Sequence, residues 1–121
     1  MIGYEEASDI KEKIMEILDR INFNHIDRDR IVCIRSKGSK ARNVIARCHG
    51  LSKIWQKALN CKAMYIIEVI SERFDKLSEE EKIKTLIHEL MHIPISFGGG
   101  FKHHDVVNNK NIERIYNRFF K

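Results

Sequence analysis

No apolar run in the 121-residue chain approaches the roughly 18 residues of a membrane span. The first residues, MIGYEEASDIKEK, reach acidic and basic side chains at once and offer no stretch long enough for a signal peptide. Secretion and membrane insertion are therefore disfavoured. Cysteine is sparse: Cys33, Cys48 and Cys61 are odd in number, widely spaced and without a CxxC pair, which excludes a disulfide framework and a cysteine zinc ribbon as organising features. A reducing, cytoplasmic location is expected. Internal repeats and low-complexity linkers are also missing, and the one Gly-rich stretch is Gly98 to Gly100. One continuous domain over residues 1–121 follows.

The apolar fraction of 43% is that of a globular protein, too high for a disordered chain. The net charge of +5 permits weak attraction to nucleic acid or to acidic protein surfaces without demanding either. Basic residues are dispersed, with modest clusters at Arg35 to Arg42 and Lys110 to Lys121, and a solvated surface accounts for both. The interleaved aromatic and basic residues of a nucleic-acid module are not found, so nucleic acid is an unsupported partner.

From Tyr4 to Ile21 the residues Ile10, Ile14, Ile17, Leu18 and Ile21 recur at helical spacing, predicting an amphipathic helix. Strands are expected at Ile31 to Arg35, before the breaker SKGS, and at Val44 to Cys48. A short helix should start at Ser52 and close at Asn60. Ala63 to Ile70 (AMYIIEVI) is the most strand-like segment. Leu77 to Pro94 reads as a helix opened by a capping box of Ser78 and Glu81, and a terminal helix should begin near Asn108. The fold class is α+β, a small, mainly antiparallel three-stranded sheet with helices packed on it.

Within the helix at Leu77 to Pro94, Ile83, Leu86, Ile87, Leu90 and Met91 gather on one side, while His88, Glu89 and His92 fall on the other. His88 and His92 are one turn apart, so both imidazoles can share one zinc ion. Zinc held by neutral imidazoles acidifies a bound water and polarises a carbonyl, and Glu89 beside it can act as general base and then as acid toward the leaving amine. The bare pattern HExxH would arise in about two or three shuffles per hundred of this composition, and its place on a capped amphipathic helix is what raises it above chance. A catalytic zinc needs a third protein ligand. His103 and His104 follow Pro94, which stops the helix, and Gly98 to Gly100, which allow a tight return. His104 is preferred because it stands immediately before Asp105 and Val106, where order resumes; His103 is the alternate ligand or an oxyanion donor. Asp105 is a candidate to orient a ligand histidine. His25 and His49 stand alone and receive no chemistry, and Tyr65 and Tyr116 fit packing better than an oxyanion role.

The segment LSEEEKIKTLIHELMHIPISFGGGFKHHDVV resembles the signature of the small zinc metallopeptidases of archaea and phages, a minimal zincin-like group, and the likeness is strongest from Tyr65 to Phe120. The resemblance implies His88 and His92 as zinc ligands, Glu89 as base and a later histidine, here leaning to His104, as third ligand. It further implies that the strand before the active-site helix is an edge strand along which an extended peptide lies, with Tyr65 and Ile67 as substrate-binding positions. The metzincin continuation HxxGxxH is absent after His88, and Glu113 is only a remote alternative ligand. Two functions stand side by side: a zinc peptidase or related amide hydrolase acting on peptide or protein substrates, and a non-catalytic zinc-stabilised basic domain binding nucleic acid or a protein partner. Glu89 favours the first, because a closed structural site has no water to activate.

Overall fold

The computed structural model describes residues 1–102 and 107–121; His103, His104, Asp105 and Val106 lie outside the described residues. Among the described residues ten elements are arranged as an α+β fold: strand β1 at Gly3–Glu6, helix α1 at Ser8–Arg20, a 3-10 turn at Arg28–Arg30, β2 at Ile31–Lys37, β3 at Ala46–Gly50, α2 at Lys53–Leu59, β4 at Tyr65–Ile70, α3 at Ser71–Phe74, α4 at Glu79–Met91 and α5 at Asn109–Phe119. Among the described residues no helix is long and apolar enough to cross a membrane.

The sheet has four strands in the order β1-β2-β4-β3, not the three expected. Pairing is mixed: β1 with β2 and β3 with β4 run antiparallel, whereas β2 and β4 run parallel from Ile31↔Tyr65 to Ser36↔Ile70. The additional strand β1, GYEE, is exposed at all four positions and carries no alternation, so its residues looked like the start of the helix that begins at Ser8. Its place is set by backbone pairing with β2, from Gly3↔Lys37 to Glu6↔Ile34.

The order of strands also corrects the role of β4. It lies inside the sheet between β2 and β3, and Tyr65 and Ile67 are wholly buried, so neither can line an extended peptide as an edge strand would. The physical reason is lateral: β4 pairs with β2 on one side and with β3 on the other, so neither of its edges is left for a peptide. The edge beside β4 belongs to β3.

The core lies on one face of the sheet. Ile10, Ile14, Ile17 and Leu18 of α1 and Leu86, Ile87 and Leu90 of α4 pack with Ile31, Cys33, Tyr65, Ile67 and Val69 from the strands. Helix α4 forms as the sequence expects. Ser78 Oγ accepts from the Glu81 N–H at 3.2 Å and donates to the Glu81 carboxylate, and Glu79, Glu80 and Glu81 occupy the positive end of the helix dipole. Lys13 of α1 pairs with Glu79, fastening the two helices at their rim. Helix α5 begins with Asn108 accepting from the Asn111 N–H at 3.0 Å and packs on α4 through Ile112 and Tyr116.

Candidate active site

The last two turns of α4 carry the chemistry. Leu86, Ile87 and Leu90 commit one side of the helix to the core, and the 3.6-residue period turns His88, Glu89 and His92 the other way. That other side does not face open solvent: Glu89 is 6% exposed and His92 2% exposed, while His88 is half-buried. One candidate ligand atom from each of the three lies within 4.8 Å of the others. The imidazole rings of His88 and His92 are 5.0 Å apart at 69°, and His88 Nε2 is 3.9 Å from Glu89 Oε2. A solvated pair of surface histidines would have none of this enclosure.

His92 is held by the chain that follows it. Its Nδ1–H donates to the Lys102 carbonyl at 2.6 Å, which in the neutral imidazole leaves the lone pair on Nε2. The Lys102 N–H in turn donates to the His92 carbonyl at 2.8 Å, and the Phe101 ring stacks on the imidazole at 4.2 Å. The glycine stretch makes this return feasible. Gly99 has φ +97°, and a Cβ there would overlap the Leu51 carbonyl oxygen. Tyr65 clasps the same loop, accepting from the Gly99 N–H at 2.9 Å and donating to the Gly100 carbonyl at 2.8 Å. Gln56 adds a bond to the Gly98 carbonyl at 3.0 Å.

Burial pushes the Glu89 carboxyl up to about 7, so its proton affinity is that of a base working near neutrality. Cys48 of β3 is pushed up to about 12, first by burial and then by the nearby Glu89 charge, and is a packed thiol. Two imidazoles and a carboxylate converging at these distances, one imidazole oriented by a carbonyl, are a donor set suited to a borderline divalent cation.

Beside the cluster opens a cleft of 520 Å³. One wall is the approach to β3, Asn43 to Ala46; the floor is Thr85, His88 and Glu89 of α4; the far wall is Asn109, Ile112 and Glu113 of α5. Glu113 reaches Lys84 at 2.7 Å, so it lines the cleft as half of an ion pair. The β3 edge is the feature that the sequence reading missed. Ile45 accepts from the Ile70 N–H and Leu51 donates to the Met64 carbonyl, on the same register as Arg47↔Glu68 and His49↔Ile66. In an antiparallel ladder bonding alternates, so the N–H and C=O of Ala46 and Cys48 point away from β4, toward the edge that no strand among the described residues covers.

The remaining candidates separate from this site. His25 Nε2 lies 3.1 Å from the Ile93 carbonyl, and His49 lies 2.8 Å from Glu68 on the other face of the sheet. Tyr65 is spent on the loop, and Tyr116 packs under the Lys84 ammonium at 4.9 Å. Among the described residues, His88, Glu89 and His92 form the sole cluster able to hold a metal ion. His104, His103 and Asp105 lie outside the described residues.

A helix offering two imidazoles and a buried carboxylate to a cleft beside an open strand edge defines a candidate metal-dependent hydrolase. Residues 2–119 match the family model described as "Putative phage metallopeptidase", and the chain belongs to that family. No curated protein and no solved structure matches the chain significantly. Membership carries a metal ion and peptide substrates as the class of chemistry, and the His88, Glu89 and His92 group is the metal-binding candidate.

Proposed function

We propose that the protein is a zinc-dependent peptidase in which His88 and His92 are metal ligands and Glu89 is the general base. The observation that carries this reading is the enclosed Glu89 carboxylate within 4.8 Å of both imidazoles at the floor of a cleft. Bound zinc would supply Lewis acidity, polarising the scissile carbonyl and acidifying a water. Glu89 would take the proton of the attacking water on a carboxylate oxygen and return it to the leaving amine. The Lys102 carbonyl keeps His92 Nε2 as the ligating nitrogen. The extended substrate pairs with the edge of β3 through the backbone of Ala46 and Cys48, in place of the Tyr65 and Ile67 positions.

His104 completes the ligand set, with His103 as oxyanion donor or alternate ligand. The return of the chain to His92 as far as Lys102 supports a ligand arriving one or two residues later. The experiment is metal analysis with hydrolysis of a mixed peptide library, comparing the native protein with Glu89→Gln. Zinc in both and cleavage by the native alone is the expected result; zinc in both and cleavage by neither overturns the enzyme and leaves a metal-stabilised binding domain. His103→Ala and His104→Ala, made separately, should differ in zinc retention, with loss at His104. Full occupancy in both variants would remove either residue from the ligand set.

A further inference from the structure

A second groove of 510 Å³ adjoins the cleft, and Ile45 lines both. Its walls bring Lys40 from the turn after β2 together with Arg73 and Lys76 at and after α3, against a single acid, Glu72. Glu72 accepts from the Gly38 N–H at 3.1 Å, which partly answers its charge. The neighbouring acid Asp75 is taken by Arg35, whose Nη1 donates to both carboxylate oxygens at 2.8 and 2.9 Å. Among the described residues Lys40 and Lys76 enter no ion pair, and both are exposed. The groove has a fixed wall, because Arg73 Nε donates to the Ala41 carbonyl at 2.7 Å and ties the turn to α3.

We infer that this basic groove receives an acidic stretch of the peptide substrate on one side of the scissile bond. The inference rests on the peptidase reading above. An extended chain paired on β3 and carried past Ala46 leaves the cleft over Ile45 and enters the groove, where Lys40, Arg73 and Lys76 meet its carboxylates. Nucleic acid fits less well. Among the described residues no Phe, Tyr or Trp lines the groove or the cleft, so the aromatic platforms on which single-stranded bases stack best are missing.

The test uses fluorescein-labelled peptides with a run of Asp and Glu in the amino-terminal half, the same run in the carboxy-terminal half, or Asn and Gln throughout. Binding to zinc-loaded Glu89→Gln protein is read by anisotropy, and turnover by the native protein is read in parallel. One acidic peptide should bind roughly tenfold more tightly than the Asn/Gln peptide at low salt, with the preference shrinking as ionic strength passes about 0.15 M. In the double variant Lys40→Glu, Lys76→Glu that preference should vanish through KM, the acidic peptide falling to or below the Asn/Gln peptide measured on the same variant; Lys40→Gln, Lys76→Gln should fall between. Equal binding of all three peptides, or an unchanged preference in the charge-reversed protein, overturns the groove. Equal competition by a single-stranded oligonucleotide of matched charge overturns the choice of peptide. Absence of any cleavage by the native protein would sink the peptidase reading, while the anisotropy series still decides the groove.

Discussion

Glu68 and Glu89 are equally hidden, each 6% exposed, and each has a histidine beside it, yet their environments drive them apart. Glu68, in β4, faces away from the helical layer. Burial alone would raise its pKa, but hydrogen bonds from His49 and Ser36 and the charges of His49 and Arg47 outweigh that and hold it below the usual carboxylate range. Glu89, in α4, has burial as its cause and rises to about 7. A buried carboxylate held as an anion by hydrogen bonds fastens strands; one whose pKa is raised by burial toward neutrality suits the base proposed for Glu89. The difference teaches that enclosure by itself does not set a carboxylate's proton affinity: the groups around it decide the direction.

The largest test of that contrast is turnover. Glu89→Gln should lower peptide hydrolysis by about 10²- to 10⁴-fold with the fold intact, while Glu68→Gln should leave kcat near native. If Glu68→Gln were the more damaging, the assignment of roles would be reversed. Stability against pH comes next, measured by thermal or urea unfolding of the chelated protein. Because the folded pKa of Glu89 lies above the ordinary value of 4.5, its contribution is fully present below about 4.5 and is lost as pH rises through about 7, amounting to at most about 3 kcal/mol. Glu89→Gln should flatten that slope. For Glu68 the sign is opposite, since a depressed pKa gives stability above the ordinary carboxylate value that is lost in acid. Tyr65→Phe, which removes the hydroxyl between Gly99 and Gly100, should cost about 1–2 kcal/mol and speed zinc loss without changing either glutamate. The smallest effect is expected from His49→Ala: below about 1 kcal/mol, because the imidazole is half in solvent, with the Glu68 acid limb moving to higher pH.

How much of this was legible in the sequence follows from where each cause resides. Helix α4 and its reactive side were readable because the Ser78 cap, the acidic first turn and the apolar period are all local, and the glycine return was readable because Gly99 needs a backbone that other residues avoid. β1 was hidden, since its four residues are placed by pairing with a strand some thirty positions on, not by any alternation of their own. β4 was seen as a strand but given the wrong neighbours. Its apolar residues, interrupted by Glu68, suit an edge and an interior strand alike, and the weakly apolar ARCHG of β3 gave little hint of holding the edge. The enclosure of Glu89 comes from β3 and α5 packing against α4, which no local pattern encodes.

The pairing of His92 with Lys102 has a kinetic consequence. It spans only ten positions, so the helix end and its return loop can close on themselves in about 10–100 ns once α4 has formed. The Tyr65 clasp cannot, because Tyr65 sits in the strand that must first find β2 across the slow, parallel, non-local pairing. Folding should therefore produce a nascent His88 and His92 pair early and a locked one late. A metal ion present during refolding would meet the half-made site before the sheet is finished, and could accelerate folding rather than merely reward its completion.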